Sequence, residues 1–175
     1  MASIGHIAVG LCLGRWLLRS PSRQREWIGI PALSVAALLP DADVIAFYFR
    51  IPYSTPWGHR EASHSLLLAV VAGTVTGLVL SRWFESVWKS VVSALLAVMS
   101  HGLLDALTNG GLGVALLWPH SLIRYFAPIR PLPVAPIGLG LLSDEGLHVL
   151  LSEALYFLPL FLYALWPRPN TRSQP

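Results

Sequence analysis

Apolar residues fall into five long runs, at residues 4–18, 27–49, 62–81, 87–107 and 145–166, separated by polar or Gly/Pro-rich stretches. The membrane-helix criterion of about 18 uncharged apolar residues is met cleanly only by 62–81. The other four runs each carry His, Asp or Glu near one end. The stretch 108–143 is rich in Gly and Pro and predicts a long loop with at most short re-entrant or interfacial pieces. The expected fold is all-α: a membrane-embedded bundle of about five helices with a long Gly/Pro-rich loop before the last. Residues 1–166 are expected to form one integral-membrane domain, and 167–175 a disordered tail. Gly10-x3-Gly14 and Gly73-x3-Gly77 would let helices one and three pack closely.

Composition turns these runs into membrane helices. Of 175 residues, 54% are hydrophobic and only 12% charged, against roughly 25% charged in soluble domains, and mean hydropathy is +0.60. A soluble protein with so few charges would have to expose large apolar patches. The net charge is +3, yet Lys and Arg form no dense run interleaved with aromatics, so nucleic acid is not an expected partner. A lone Cys12 excludes a disulfide framework and a Cys-based zinc site within the chain. The N-terminus has His6 before its first apolar run and positive charges after it, the reverse of a signal peptide's order, so it is read as part of the mature protein.

Charge placement then predicts orientation. Arg15, Arg19, Arg23, Arg25, Arg82, Lys89, Arg168 and Arg172 fall on one side of the five-helix topology, against Arg50, Arg60, Arg124 and Arg130 on the other. The positive-inside rule puts the N-terminus outside and the C-terminus in the cytoplasm, in a cytoplasmic or inner membrane if the protein is bacterial.

Ionisable groups at membrane depth are expensive and usually face the bundle interior. On this topology His6 begins helix one, Asp41 and Asp43 lie late in helix two, and His59 and His64 flank the start of helix three. His101 and Asp105 close helix four, while Glu145, His148 and Glu153 open helix five. All lie toward one membrane face, although the chain reverses at every span, so one shared site is the simpler account. His101 and Asp105 are four apart and project from one helix face. In Leu39-Pro40-Asp41-Ala42-Asp43 the proline loosens the helix, and two carboxylates lie close at low cost only with a cation between them. Imidazole with carboxylate suits Zn2+, and also Mn2+ or Fe2+, better than Ca2+. The candidates outnumber the ligands one zinc needs, which allows two or more ions. His120 and His148 are expected to be bystanders. Trp57, Trp118 and Trp166 are read as interfacial anchors.

His6, Leu39-Pro40-Asp41-Ala42-Asp43, His59-Arg60-x3-His64-Ser65 and Ser100-His101-x3-Asp105-x2-Thr108-x-Gly110-Gly111 resemble the YdjM-like family of predicted membrane-bound metal-dependent hydrolases. Trp118-Pro119 through Arg124-Tyr125-Phe126, Pro128-Ile129 and Ser152-Glu153 look like that family's C-terminal half. The resemblance implies a membrane-embedded enzyme distantly similar to zinc-dependent phospholipase C, although this chain has no N-terminal Trp of the kind that pattern uses. By the same resemblance His6, Asp41, His59 or His64, His101 and Asp105 look like ligands, with Glu153 as a late one.

The expected activity is phosphoester hydrolysis of a membrane lipid or lipid-phosphate substrate by a metal-activated water. Asp41 or Asp43 would take the proton, Arg60 would bind a phosphate oxygen, and Arg124 or Arg130 would hold a headgroup. The alternative is a metal-ion transporter or a metal-stabilised membrane protein without catalysis. A metalloprotease is disfavoured because the chain has no His-Glu-x2-His.

Overall fold

The computed structural model describes residues 3–17 and 23–167, and among these the ordered elements are helical apart from two isolated β-bridges. Of the expected tail 167–175, residues 168–175 lie outside the described residues, and with them Arg168 and Arg172 of the charge count, as does Arg19. The first apolar run forms α1 (Ser3–Leu17). The second forms α2 (Arg23–Leu38), which tightens into a 3-10 turn over Leu39–Val44 and ends in the short α3 (Ile45–Tyr48). Pro40 accounts for the change. It offers no N–H to the helix and its ring crowds the carbonyl four residues back, so the chain leaves α-helical spacing where the two aspartates stand.

A second 3-10 turn, Ala62–His64, precedes α4 (Leu66–Leu80), whose first turn is capped by the Ser65 hydroxyl accepting from the Leu68 N–H. Ser86 caps α5 (Val87–Ala106) in the same way. The last run is split into α6 (Asp144–Tyr156) and α7 (Leu158–Leu165), bent by 58°. Pro159 denies that run a continuous hydrogen-bond ladder, so the expected single helix becomes two.

Five arms are therefore present, but they differ in reach. Arg25–Tyr48 and Val87–Ala106 are long and apolar enough to cross a membrane, and the bent pair makes a third span if taken together. With 15 described residues each, α1 and α4 reach about 22 Å over those residues at 1.5 Å per residue, short of the roughly 30 Å hydrocarbon core. The run cleanest in sequence, 62–81, loses its first turn to the segment that carries His64.

The bundle is centred on α5, whose Ala94, Ala97 and Val98 are buried against Leu33, Ala36, Ala37, Ala69, Leu80 and Phe84. Small side chains let these helices approach closely, which is how membrane helices gain dispersion contacts. The glycine stripes serve this with different partners. A Cβ on Gly10 would lie 2.4 Å from Ser34 Cα on α2, and one on Gly77 2.3 Å from Val91 Cα on α5. Large apolar side chains such as Val75, Leu78, Leu103 and Leu162 point outward, a surface suited to lipid rather than water. At the C-terminal end of α1, Arg15 donates to the carbonyls of Ala164 and Trp166 and so ties α1 to α7.

The segment after α5 folds back over the end of the bundle that carries the polar residues. It is pinned by the bridges Thr108–Leu132 and Val114–Tyr125, and by Ala115 N–H to Arg60 O (3.0 Å) and Leu66 N–H to Leu116 O (3.0 Å). Within it Val114 and Ala115 are fully buried.

Candidate metal centre

Three chain segments meet at this end: the 3-10 turn after α2, the stretch 59–64 before α4, and the last turns of α5. His101 Nδ1–H donates to the Ala37 carbonyl at 2.6 Å. Because a carbonyl can only accept, His101 carries its proton on Nδ1 and turns the Nε2 lone pair inward. His64 is oriented by a carboxylate instead, its Nδ1 lying 3.2 Å from Asp43 Oδ2. Its Nε2 then faces His101 Nε2 at 3.0 Å, Asp105 Oδ2 at 3.4 Å and Asp41 Oδ1 at 3.5 Å. Asp41 Oδ1 also lies 3.2 Å from His101 Nε2. Asp41, His64, His101 and Asp105 thus offer one donor atom each, all within 4.8 Å of one another.

A second group, Asp43, His59 and His64, adjoins the first and shares His64 with it. His59 Nδ1 is 2.6 Å from Asp43 Oδ1. Asp43 is heavily used: Oδ2 also accepts from the Arg60 backbone N–H (3.2 Å) and from the Ser63 hydroxyl. Arg60 reaches this position with φ of 65°, an uncommon conformation for a residue with a side chain. The Asp43 bond on one side and the Ala115 bond on the other hold it there.

Three carboxylates dominate the electrostatics around His64. His64 stands in the connector ahead of α4, outside the spans; burial disfavours its charged form, but Asp105, Asp41 and Asp43 more than offset this and hold its pKa up at about 10. His6 is fully buried and stacks on His101 with ring centroids 3.7 Å apart. Neither His6 ring nitrogen makes a hydrogen bond among the described residues, and Nε2 lies 3.8 Å from Asp105 Oδ1. A buried imidazole nitrogen without a hydrogen-bond partner beside a carboxylate suits a metal-ion ligand. The donor set therefore fits a transition metal ion.

Of the residues singled out in the sequence, Asp41, His64, His101 and Asp105 meet in one group and His59 joins Asp43 in the next. His6 borders the first group. Glu153 lies apart from both groups, fully buried on α6, where it accepts from the Gly5 N–H at 3.3 Å and so joins α6 to α1. Arg60 is buried, with Nε 3.0 Å from Asp105 Oδ2 and Nη1 donating to Thr108 Oγ1 at 3.1 Å. Arg124 is paired with Glu61 (Nη2 to Oε1 2.6 Å) and donates to the Tyr53 carbonyl at 2.8 Å, so it braces the 53–61 loop. Arg130 is exposed over the Phe126 ring, and His120 and His148 are exposed.

With this polar cluster inside an apolar bundle, comparison with known proteins is decisive. The family described as YdjM inner membrane protein matches residues 1–168. The chain belongs to the YdjM family. It is also 37% identical to the inner membrane protein YbcI of Escherichia coli (strain K12), over 171 residues covering 94% of this chain and 96% of the relative. No solved structure matches. The family's description states a location, and that location agrees with the spans found here; it states no reaction.

Several contributors to the site escaped sequence reasoning. Gly102 is one: a Cβ there would lie 2.6 Å from the His64 carbonyl oxygen, so only glycine lets the 62–64 turn sit against α5. Its position directly after His101 was the available signal. The Ala37 carbonyl, which fixes the His101 tautomer, has no sequence signal at all.

Proposed function

We propose that this protein is a membrane-bound metal-dependent hydrolase that cleaves a phosphoester of a lipid-like substrate. The observation that carries the reading is the convergence of Asp41, His64, His101 and Asp105, with both imidazoles turned inward by their Nδ1 partners. Imidazole with carboxylate favours zinc, with manganese or iron as substitutes, and the Asp43, His59 and His64 group offers room for a second ion. When bound, such ions lower the pKa of a water toward about 7 and counter negative charge on a phosphate.

The chain's own residues divide the remaining work. Asp41 is the group's most accessible carboxylate, with 24% of its side chain exposed against 2% for Asp105. It is the residue placed to take a proton from water. Asp43 orients His64 and His59 and is a positioning residue. Arg60 lies beside Asp105, Nε to Oδ2 3.0 Å, and lines the same cavity as Asp41, where it would meet a phosphate oxygen. Positioning the site at the outer face follows from the Lys and Arg distribution.

Hydrolysis of phosphatidic acid, other phospholipids and isoprenoid phosphates by detergent-solubilised, metal-loaded protein tests the reading. Phosphate or headgroup release that Asp41→Asn abolishes supports it. If wild type binds metal yet hydrolyses none of these, and metal crosses the membrane of reconstituted vesicles, the transporter replaces it.

A further inference from the structure

Beside the cluster lies a cavity of about 670 Å3 whose wall includes Asp41, His59 and Arg60. The rest of its lining is chiefly apolar. Val35, Leu38 and Val44 come from α2 and the turn that follows it, and Val134, Ile137 and Leu141 from the segment ahead of α6. This volume falls within the range of roughly 300–1,000 Å3 seen for small-molecule sites.

Apolar side chains at the edge of the cavity are exposed. Val35 is 63% exposed although it lines the cavity, and on the 3-10 turn Gly138–Leu142, Leu139 and Leu142 are 85% and 83% exposed while Gly138 and Leu141 face the cavity. Ile45, directly after the cavity-lining Val44, is exposed as well. Apolar side chains displayed around an opening, in a family located in the inner membrane, belong against hydrocarbon. A charged entrance for a soluble ester would look different.

We propose that this cavity receives the acyl chain of a membrane phospholipid, which slides in from the bilayer between α2 and the 134–142 segment and so delivers its phosphate to Asp41, His59 and Arg60. The inference rests on the metal-site reading above and adds the substrate's route and the part that recognises its tail. The charge pattern agrees, because the polar part of the wall carries Arg60 beside candidate metal ligands, where an anionic phosphate is stabilised, and the remainder offers an acyl chain nothing to desolvate.

Photo-crosslinking of the full-length protein in lipid nanodiscs tests this without needing turnover. The probe is phosphatidic acid with a diazirine midway along one acyl chain. Labelling should concentrate on the peptides carrying Val35 and residues 134–141, and unlabelled phosphatidic acid should compete while inorganic phosphate should not. Val35→Trp, which fills the cavity from one wall, should cut labelling of 134–141 by about tenfold with metal content retained. Leu141→Trp fills it from the other wall and replaces that variant if it does not fold. Labelling spread evenly over the lipid-facing residues of α4 and α7, or unchanged in a folded Trp variant, overturns the inference. Concentrated labelling without hydrolysis sustains it and sinks the hydrolase; hydrolysis of a water-soluble phosphoester without concentrated labelling does the reverse.

Discussion

His64 and His101 bring their Nε2 atoms to 3.0 Å from each other, with the carboxylates of Asp41 and Asp105 alongside. Two imidazole lone pairs cannot face each other at that distance unless a proton or a metal cation lies between them. Removing either side should therefore remove the reason for the other. His101→Ala and Asp105→Ala are each expected to lower bound metal to background and hydrolysis by about a hundredfold or more. His120→Ala and His148→Ala, on exposed residues, should leave both near wild type. Metal content by elemental analysis and activity on the same preparations provide the check; a His101→Ala protein that keeps its metal would sink the assignment.

The donor count bears on stoichiometry. Asp41, His64, His101 and Asp105 make one group, and Asp43, His59 and His64 a second that shares an imidazole. Protein purified without chelators should carry one to two equivalents of a transition metal, zinc foremost. Chelation should lower the thermal unfolding midpoint, since the ion binds only the folded arrangement. Less than roughly half an equivalent, judged against the affinity expected of a preformed site, would return these histidines to structural roles.

Asp43 orients His64 for the first group and belongs itself to the second, so its loss bears on both. Asp43→Asn keeps the size and one oxygen but loses the charge that orients the His64 ring. Metal affinity should fall by about 10–100-fold. Titration with zinc against a competing chelator measures this, and an unchanged affinity would show that His64 needs no such partner.

The sequence made the arms of the bundle legible because membrane helices announce themselves by length and apolarity, and it made Asp41, His64, His101 and Asp105 legible because ionisable groups at that depth are rare. Pro40 was readable too, and it does place the aspartates on a tightened turn. What could not be read was set by the third dimension. Glu153 has the composition of a ligand, and only the packing of α6 on α1 shows that its Oε2 also accepts from the Gly5 N–H. Arg124 has the chemistry of a headgroup binder, and the fold of segment 107–143 delivers it to Glu61. Backbone partners such as Ala37 O have no side-chain identity to notice.

Gly102 supplies a test of how closely the site depends on packing. A methyl group there would press on the His64 carbonyl at 2.6 Å, and backbone cannot yield as a flexible side chain can. Gly102→Ala should cost about 1–3 kcal/mol in stability, as overpacking does. It should also weaken metal binding by displacing His64 from His101. Gly138→Ala is the control, because nothing lies within 4 Å of a Cβ there, although its φ of 64° makes that substitution mildly strained. Thermal unfolding with and without zinc separates the two effects; equal losses in both variants would mean that the glycine near the histidines has no special role.

Orientation in the membrane decides which pool of substrate the site can meet. Arg82 and Lys89 at the α4–α5 connection lie at the end of the bundle opposite the loop that carries Arg50 and Arg60, and the sequence topology expects the larger share of the Lys and Arg on the side of the former. Positive residues are retained in the cytoplasm, so the His/Asp cluster should face outward. A Cys12→Ser background allows single cysteines to report this. Thr55→Cys, in the loop before His59, should react with a membrane-impermeant maleimide on intact cells. Glu85→Cys, exposed between α4 and α5, should react only after permeabilisation. The opposite pattern would place the cluster on the cytoplasmic side, and the lipid substrate would then have to come from the inner leaflet. Equal labelling of both positions in intact cells would mean that one of the arms does not cross, for which α4, with its 15 residues, is the first suspect.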